Sequence, residues 1–284
     1  MKTDTLKIIE NFYNNDAFSS LDLITYDKED TFKITHMPLE KFKDKVPNEL
    51  ISKLIEPCFL KNKHYNEIMQ LLLKNTDNES FYHLMYTAYY KTLLENMNYI
   101  SDKYHLSDLN IIAKSDKELS RHLMTTAIAA NSLKSNYHET DMNILKNETS
   151  DRAELLNLIT TNMYSLNSPH HKRDMELLTN QKDEKIFYSL ILVAEDKDSL
   201  DSPYHMHDMD LINNMDDSKM TIPLTLLAIS RYSLHNNHLN NINDVLNCDT
   251  YKEAKDYVNK LLYKKRWFLL KINVSYFYKR WVWW

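Results

Sequence analysis

Five histidines stand almost evenly along the chain: His105, His138, His171, His205 and His238, separated by 33, 33, 34 and 33 residues. A period of that length marks stacked supersecondary units, and it narrows the fold more than any other feature of the sequence. Three residues after the first four histidines come Asp108, Asp141, Asp174 and Asp208, while the fifth unit carries Asn241. Four residues after each histidine stand Leu109, Met142, Met175, Met209 and Ile242, and seven residues after it Ile112, Leu145, Leu178, Ile212 and Val245. A Ser-Leu pair recurs as Ser132-Leu133, Ser165-Leu166, Ser199-Leu200 and Ser233-Leu234. So many classes of position do not align by chance. A degenerate first unit is expected from His64, with Ile68 and Leu71 in register, set off by about eight extra residues near 95–103.

Each unit reads as a helix pair. Offsets 0, +4 and +7 share one helical face, which gives the first helix an apolar side headed by the histidine. Ser168 before Pro169 and Ser202 before Pro203 fit an N-cap followed by proline at the first helical position. That places the histidine near the third helical position, turned toward the preceding unit. Asn147, Asn180, Asn214 and Asn247 stand nine residues on, where a left-handed residue ends a helix. Ser115, Ser150, Asp183, Asp217 and Thr250 are expected to cap the second helices, with Ser115-x-x-Glu118 and Thr250-x-x-Glu253 in capping-box form. The second helix is apolar, as in "IFYSLILVA" at 186–194, and Pro223 shortens or kinks it in one unit.

Glycine is absent from all 284 residues. Gly-rich phosphate loops, dinucleotide fingerprints and G-x-S-x-G nucleophile elbows are therefore excluded. The only cysteines are Cys58 and Cys248, too few for a disulfide framework or a zinc ribbon. No secretory leader or membrane-spanning run is read, so the expected localisation is cytoplasmic.

The repeated His and Asp invite a metal or acid/base interpretation. A structural zinc site needs four ligands at about 2.0–2.3 Å. Equivalent helices in neighbouring units sit about 8–10 Å apart, so successive histidines do not share an ion. A catalytic site also needs only one copy. His105, His138, His171, His205 and His238, with Asp108, Asp141, Asp174 and Asp208, are therefore assigned to repeat architecture. In that assignment the aspartate accepts its own histidine's ring N–H and favours the positive helix end. Extra histidines, His170, His207 and His235, are expected at the surface. No catalytic, cofactor or metal residue is assigned.

Ser-Pro-Tyr-His at 202–205 and Ser-Pro-His-His at 168–171 resemble the Thr-Pro-Leu-His that opens ankyrin repeats, and the period is similar to theirs. The glycines that ankyrin repeats use at helix ends and hairpins are missing here. The resemblance implies a structural role for the histidine and a protein partner for the array.

The expected fold is mainly α: an α-solenoid of tandem helix pairs over 61–263, about six units with the first degenerate, behind a small mixed N-terminal cap at 1–60. Within that cap, "LDLITYD" and "TFKITH" suggest a hairpin. Residues 264–284 form a basic aromatic tail or cap. The formal charge is −5; seven cations after Asp256, with no acid among them, leave −12 for the rest. Such an acidic body disfavours nucleic acid. The expected function is a non-enzymatic protein-binding scaffold. The alternative is membrane-surface or nucleic-acid association through the tail, using Lys264, Lys265, Arg266, Trp267, Lys279, Arg280, Trp281, Trp283 and Trp284. A terminal cap over the last repeat is the favoured reading of that tail.

Overall fold

The computed structural model describes residues 21–26, 32–37, 50, 53–54, 56–97, 104–216 and 219–263. The protein is mainly helical. Leu21–Tyr26 (β1) and Phe32–Met37 (β2) pair antiparallel, Leu21 opposite Met37 and Tyr26 opposite Phe32. A helical turn at Pro57–Leu60 leads into α1 (Tyr65–Lys74) and α2 (Phe81–Asn96). Then follow α3 (His105–Ala113), α4 (Lys117–Ile128), α5 (Ala130–Lys134), α6 (His138–Leu145) and α7 (Ser150–Thr161). These belong to a first compact unit, Met1–Thr161. The second, Asn162–Trp284, contains α8 (Met163–Asn167), α9 (His171–Asn180), α10 (Glu184–Glu195), α11 (Lys197–Leu200) and α12 (His205–Asn213). It continues with α13 (Thr221–Ala228), α14 (Arg231–His235), α15 (His238–Leu246) and α16 (Tyr251–Tyr263).

Packing follows the period. In the first unit α4 lies between α2 and α7, and α1 packs on α3. In the second, α13 lies between α10 and α16, and the short helices α8, α11 and α14 contact one another in order. The repeat therefore has a third element beyond the expected pair: a one-turn helix carrying the recurring Ser-Leu, with the leucine buried each time (Leu133, Leu166, Leu200, Leu234).

The chain turns these corners without glycine. Ala129, Asn162, Asp196 and Ser230 each end a helix and start the short one, with φ between −71° and −86° and ψ between 108° and 124°. One extended residue breaks the helix in ordinary β space, where no Cβ penalty applies. Asn162, Asp196 and Ser230 also accept from a backbone N–H of the new turn, at 2.8, 2.8 and 3.4 Å.

The asparagines at +9 do not take the expected left-handed conformation. Asn214 and Asn247 have φ of −98° and −85°, and the only positive φ among the described residues is 56° at Asn237. Instead, the Asn147, Asn180 and Asn214 side-chain amides donate to the carbonyls four residues back, at 2.9, 2.8 and 2.8 Å. These amides add a side-chain donor to carbonyls of the last helical turn, the Asp210 carbonyl also accepting from the Asn214 backbone N–H at 3.1 Å.

Capping at the second helices is mixed. Asp183 accepts from Lys185 and Ile186 N–H at 2.8 and 3.1 Å. Thr250 accepts from Glu253 N–H at 3.2 Å, while the Glu253 carboxylate reaches Asp249 N–H at 3.1 Å. The cap of α4 is Asp116, not Ser115, accepting from Leu119 N–H at 2.9 Å. Ser150 is the first residue of α7, and Asp217 lies outside the described residues. Pro223 falls in the first turn of α13, which is 8 residues long against 12 for α10.

Candidate functional site

The serines before the repeat histidines open turns rather than cap helices. Ser135, Ser168 and Ser202 Oγ accept from the N–H two residues on, each at 3.1 Å. Ser168 and Ser202 carbonyls accept from His171 and His205 N–H, each at 3.3 Å. The histidine is thus the first residue of its helix, two positions earlier than the capping pattern suggests.

From there the ring spans two units. Ser132, Ser165, Ser199 and Ser233 Oγ lie 2.9, 3.0, 3.0 and 2.9 Å from Nδ1 of His138, His171, His205 and His238. On the far side of the ring, Nε2 meets an aspartate of the preceding repeat: His138 to Asp108 at 2.8 Å, His205 to Asp174 at 3.0 Å, His238 to Asp208 at 2.8 Å. This corrects the sequence expectation for these pairs, whose carboxylates serve the next unit's histidine. The residue before the motif faces the same way. Tyr104, His170 and Tyr204 rings lie 4.7, 5.0 and 4.8 Å from the rings of His138, His205 and His238.

Ser, His and Asp in hydrogen-bonded sequence are also the parts of a nucleophilic triad. With Nε2–H donated to the carboxylate, Nδ1 of a neutral ring accepts the serine proton. Solvent access decides the chemistry. Ser199 and Asp174 are 0% exposed and His205 1%. An acyl substrate has no route to that oxygen, so the chain of bonds acts here as a buried strut. His105, Asp108, His138, Asp141, His171, Asp208 and His238 are equally buried.

The first joint differs. Tyr65, not His64, opens α1, with Met69 and Leu72 buried at +4 and +7. The register is therefore one residue later than expected, and Ile68 falls where later units carry aspartate. His105 accordingly has no carboxylate at Nε2, which is buried without a partner, while Nδ1 lies 2.5 Å from Glu95 Oε1. Asp108 is also met by the Lys91 ammonium, itself 1% exposed, which donates to the Ala127 carbonyl at 3.3 Å. Burial lowers the Lys91 pKa against the opposing pull of Asp108.

His207 and His235 are exposed and His170 is half-buried. His207 Nδ1 nevertheless lies 3.1 Å from Asp208 Oδ1, which accepts, so that one carboxylate joins two histidines. Burial, then the neighbouring His205, hold the His170 pKa low. Among the described residues, no three His, Cys, Asp or Glu come together as metal ligands, and no helix is long and apolar enough to cross a membrane. The tail residues Lys264 to Trp284 lie outside the described residues.

Comparison with protein-family models, curated proteins and solved structures found no match to this chain.

Proposed function

We propose that the chain is a non-enzymatic scaffold of tandem helical repeats, an α-solenoid whose varied outer positions bind another protein. The observation that supports this is a division of labour within the first helix of each repeat. The recurring His and Asp pair inside the joints at His138, His205 and His238. The position two residues after the motif histidine is exposed in all five units and different in each: Ser107, Thr140, Arg173, His207 and Asn240. Arg173 adds a surface pair to Asp210, both oxygens at 2.6 Å. A constant interior with a varied outer row is how repeat arrays present a recognition surface. Moving from that architecture to protein binding is fold-level inference.

Affinity capture with the intact chain, alongside a variant carrying glutamate at all five outer positions, tests it. A partner held by the intact chain and lost by the equally stable variant is expected. A partner retained by the variant, or turnover of a small molecule abolished by Ser199→Ala, overturns the reading.

A further inference from the structure

Residues 75–80 join α1 to α2, a longer turn than 114–116 between α3 and α4 or 146–149 between α6 and α7. Asparagines hold it in place. Asn75 Nδ2 donates to the Leu71 carbonyl at 2.7 Å. Asn78 Nδ2 donates to Asn75 Oδ1 at 2.8 Å and to the Ala113 carbonyl of the next repeat at 2.9 Å. Between this turn and the start of α4 lies a cavity of about 480 Å³, bordered by Asp77, Asn78, Glu79, Tyr82, His83 and Lys117. Ser107 and Thr140 stand in the first turns of α3 and α6, at the other ends of the helices, so the cavity is separate from the varied outer row.

The lining is rich in acceptors. Asp77 and Glu79 are exposed carboxylates. Asn78 has both amide hydrogens committed, so its carbonyl oxygen is left to accept. Ser120 Oγ donates to the Lys117 carbonyl at 2.8 Å and lies 2.7 Å from His83 Nδ1. With the serine proton spent, His83 donates through Nδ1–H and keeps the lone pair on Nε2. Burial, then the Arg121 charge, lower the His83 pKa and hold that ring neutral. Arg121 itself pairs with Glu118 at 3.3 Å. α1 ends and α2 begins at this turn, so the two helix dipoles offset and the side chains decide the charge. Two carboxylates against the Lys117 ammonium leave an excess of one negative charge. The aromatic edge of the cavity is fixed by a ladder. Tyr82 stacks on Tyr86 with centroids 6.1 Å and planes 27° apart, and Tyr86 on Tyr90 at 4.3 Å and 30°. Tyr82 and Tyr90 are 40% and 36% exposed.

We propose that this cavity takes the guanidinium group of an arginine in a protein partner, and that the peptide bearing it runs on along Tyr86 and Tyr90. A guanidinium carries five donors and no acceptor, which matches a lining of carboxylates, an amide oxygen and an imidazole nitrogen. Its single charge balances the excess. Its plane stacks on the Tyr82 ring while its edge donates to Asp77 and Glu79, a combination that a compact ammonium does not offer. An anion would meet two carboxylates instead. Attraction at longer range acts in the same sense, because the chain up to Asp256 carries −12 and draws a basic segment toward it.

Short serine peptides with one central arginine, or with lysine in its place, and N-acetylarginine amide are titrated into the isotopically labelled full chain and followed by its amide resonances. The arginine peptide is expected to shift Asn78, Tyr82, His83 and Lys117 and, beyond the cavity, Tyr86 and Tyr90. N-acetylarginine amide is expected to shift the cavity residues alone and to bind more weakly. The lysine peptide should bind about fivefold more weakly than the arginine peptide, or worse. Asp77→Asn combined with Glu79→Gln should weaken the arginine peptide at least about tenfold, and Tyr82→Ala about fivefold. Lys117→Met removes the competing charge and should tighten it about threefold. Glu139→Gln, at an exposed acid of α6, should change nothing. Equal binding of the two peptides, an equal loss in Glu139→Gln, retention by the Asp77 and Glu79 double variant, the free amide binding as tightly as the peptide, or no saturable shift overturns the inference. None of these outcomes involves the outer row, so the scaffold reading stands or falls separately.

Discussion

The repeat around His205 and the repeat around His238 share a buried histidine, a serine on its Nδ1 and a preceding-unit aspartate on its Nε2. They differ in what they offer onward. The first presents Tyr204, Asp208 and Leu211; the second presents Asn237, Asn241 and Asp244. The groups that look backward are kept at the end of the row and the groups that look forward are dropped. That asymmetry gives the joint a direction: histidine is the incoming half and aspartate, ring and aliphatic the outgoing half. A buried carboxylate without a donor is costly, so an aspartate at 241 with no histidine to meet it would be a liability.

Core substitutions test that contrast most strongly. Leu190 is fully buried in α10, which packs on helices at either side, and Leu190→Ala should cost about 2–5 kcal/mol. Val258 is just as buried in α16, but its side chain is smaller and the neighbours of α16 among the described residues are α13 and α15. Val258→Ala should cost clearly less in urea denaturation. Equal losses would mean that α16 is enclosed like an inner helix.

Next in size is the polar joint. Asp208→Ala leaves the His238 Nε2–H buried without its acceptor and should cost about 1–3 kcal/mol. Asn241→Ala removes bonds of 3.3 Å to Ser233 Oγ and 3.0 Å to the Asn236 carbonyl but strands no buried ring, and should cost about 1 kcal/mol or less. If Asn241→Ala were the worse of the two, direction would not be a property of the joint. Tyr257→Phe removes the hydroxyl bond to Asp244 at 2.7 Å and the 3.3 Å approach to Asn241 and should cost about 1 kcal/mol, with raised amide exchange confined to α15 and α16.

Much of this was legible in the sequence, and unevenly so. The period gave the units, and offsets 0, +4 and +7 gave the buried face, because burial repeats with helical geometry. The partner of the aspartate was misassigned because its own histidine is one turn away in sequence while the next unit's is 30 or 31 residues away. Local spacing cannot rank those two. The outgoing ring and the +6 aliphatic were visible as columns, Tyr104, Tyr137 and Tyr204 with His170, and Ile111, Ile144, Leu177 and Leu211, but acquire meaning only once neighbouring helices are placed. The third helix is 4 or 5 residues long, too short for any periodicity to show. At the first unit, Tyr65 in the histidine's place hid the register. Asp116 next to Ser115 shows the same limit at a cap, where either residue satisfies the sequence rule.

Acid should separate the inner repeats from the last one more gently. His83, His122 and His170, all before the last repeat, have pKa values lowered chiefly by burial. An ordinary histidine titrates near about 6.5, so on acidification the unfolded chain takes up these protons first. The stability they contribute is full above that pH and is lost as pH falls through their lower folded values. Amide protection, corrected for the intrinsic exchange rate at each pH, should therefore fall in α4 and α9 between about pH 7.5 and about pH 5.5, more than in α16. A larger acid effect in α16 would place the sensitive groups at the end of the row.

The smallest effect concerns helix ends. The Asn214 amide donates to the Asp210 carbonyl at 2.8 Å on an exposed surface, where water competes for the same carbonyl. Asn214→Ala should cost no more than about 0.5 kcal/mol. Asn214→Gly sharpens the case. Were a left-handed residue wanted after α12, glycine would stabilise the protein; at the observed φ of −98° it gains nothing and adds backbone freedom to the unfolded chain. Glycine should therefore be at least as destabilising as alanine. A rise in melting temperature on Asn214→Gly would show that the chain accommodates its lack of glycine under strain, and would undo the account of its corners as ordinary extended residues.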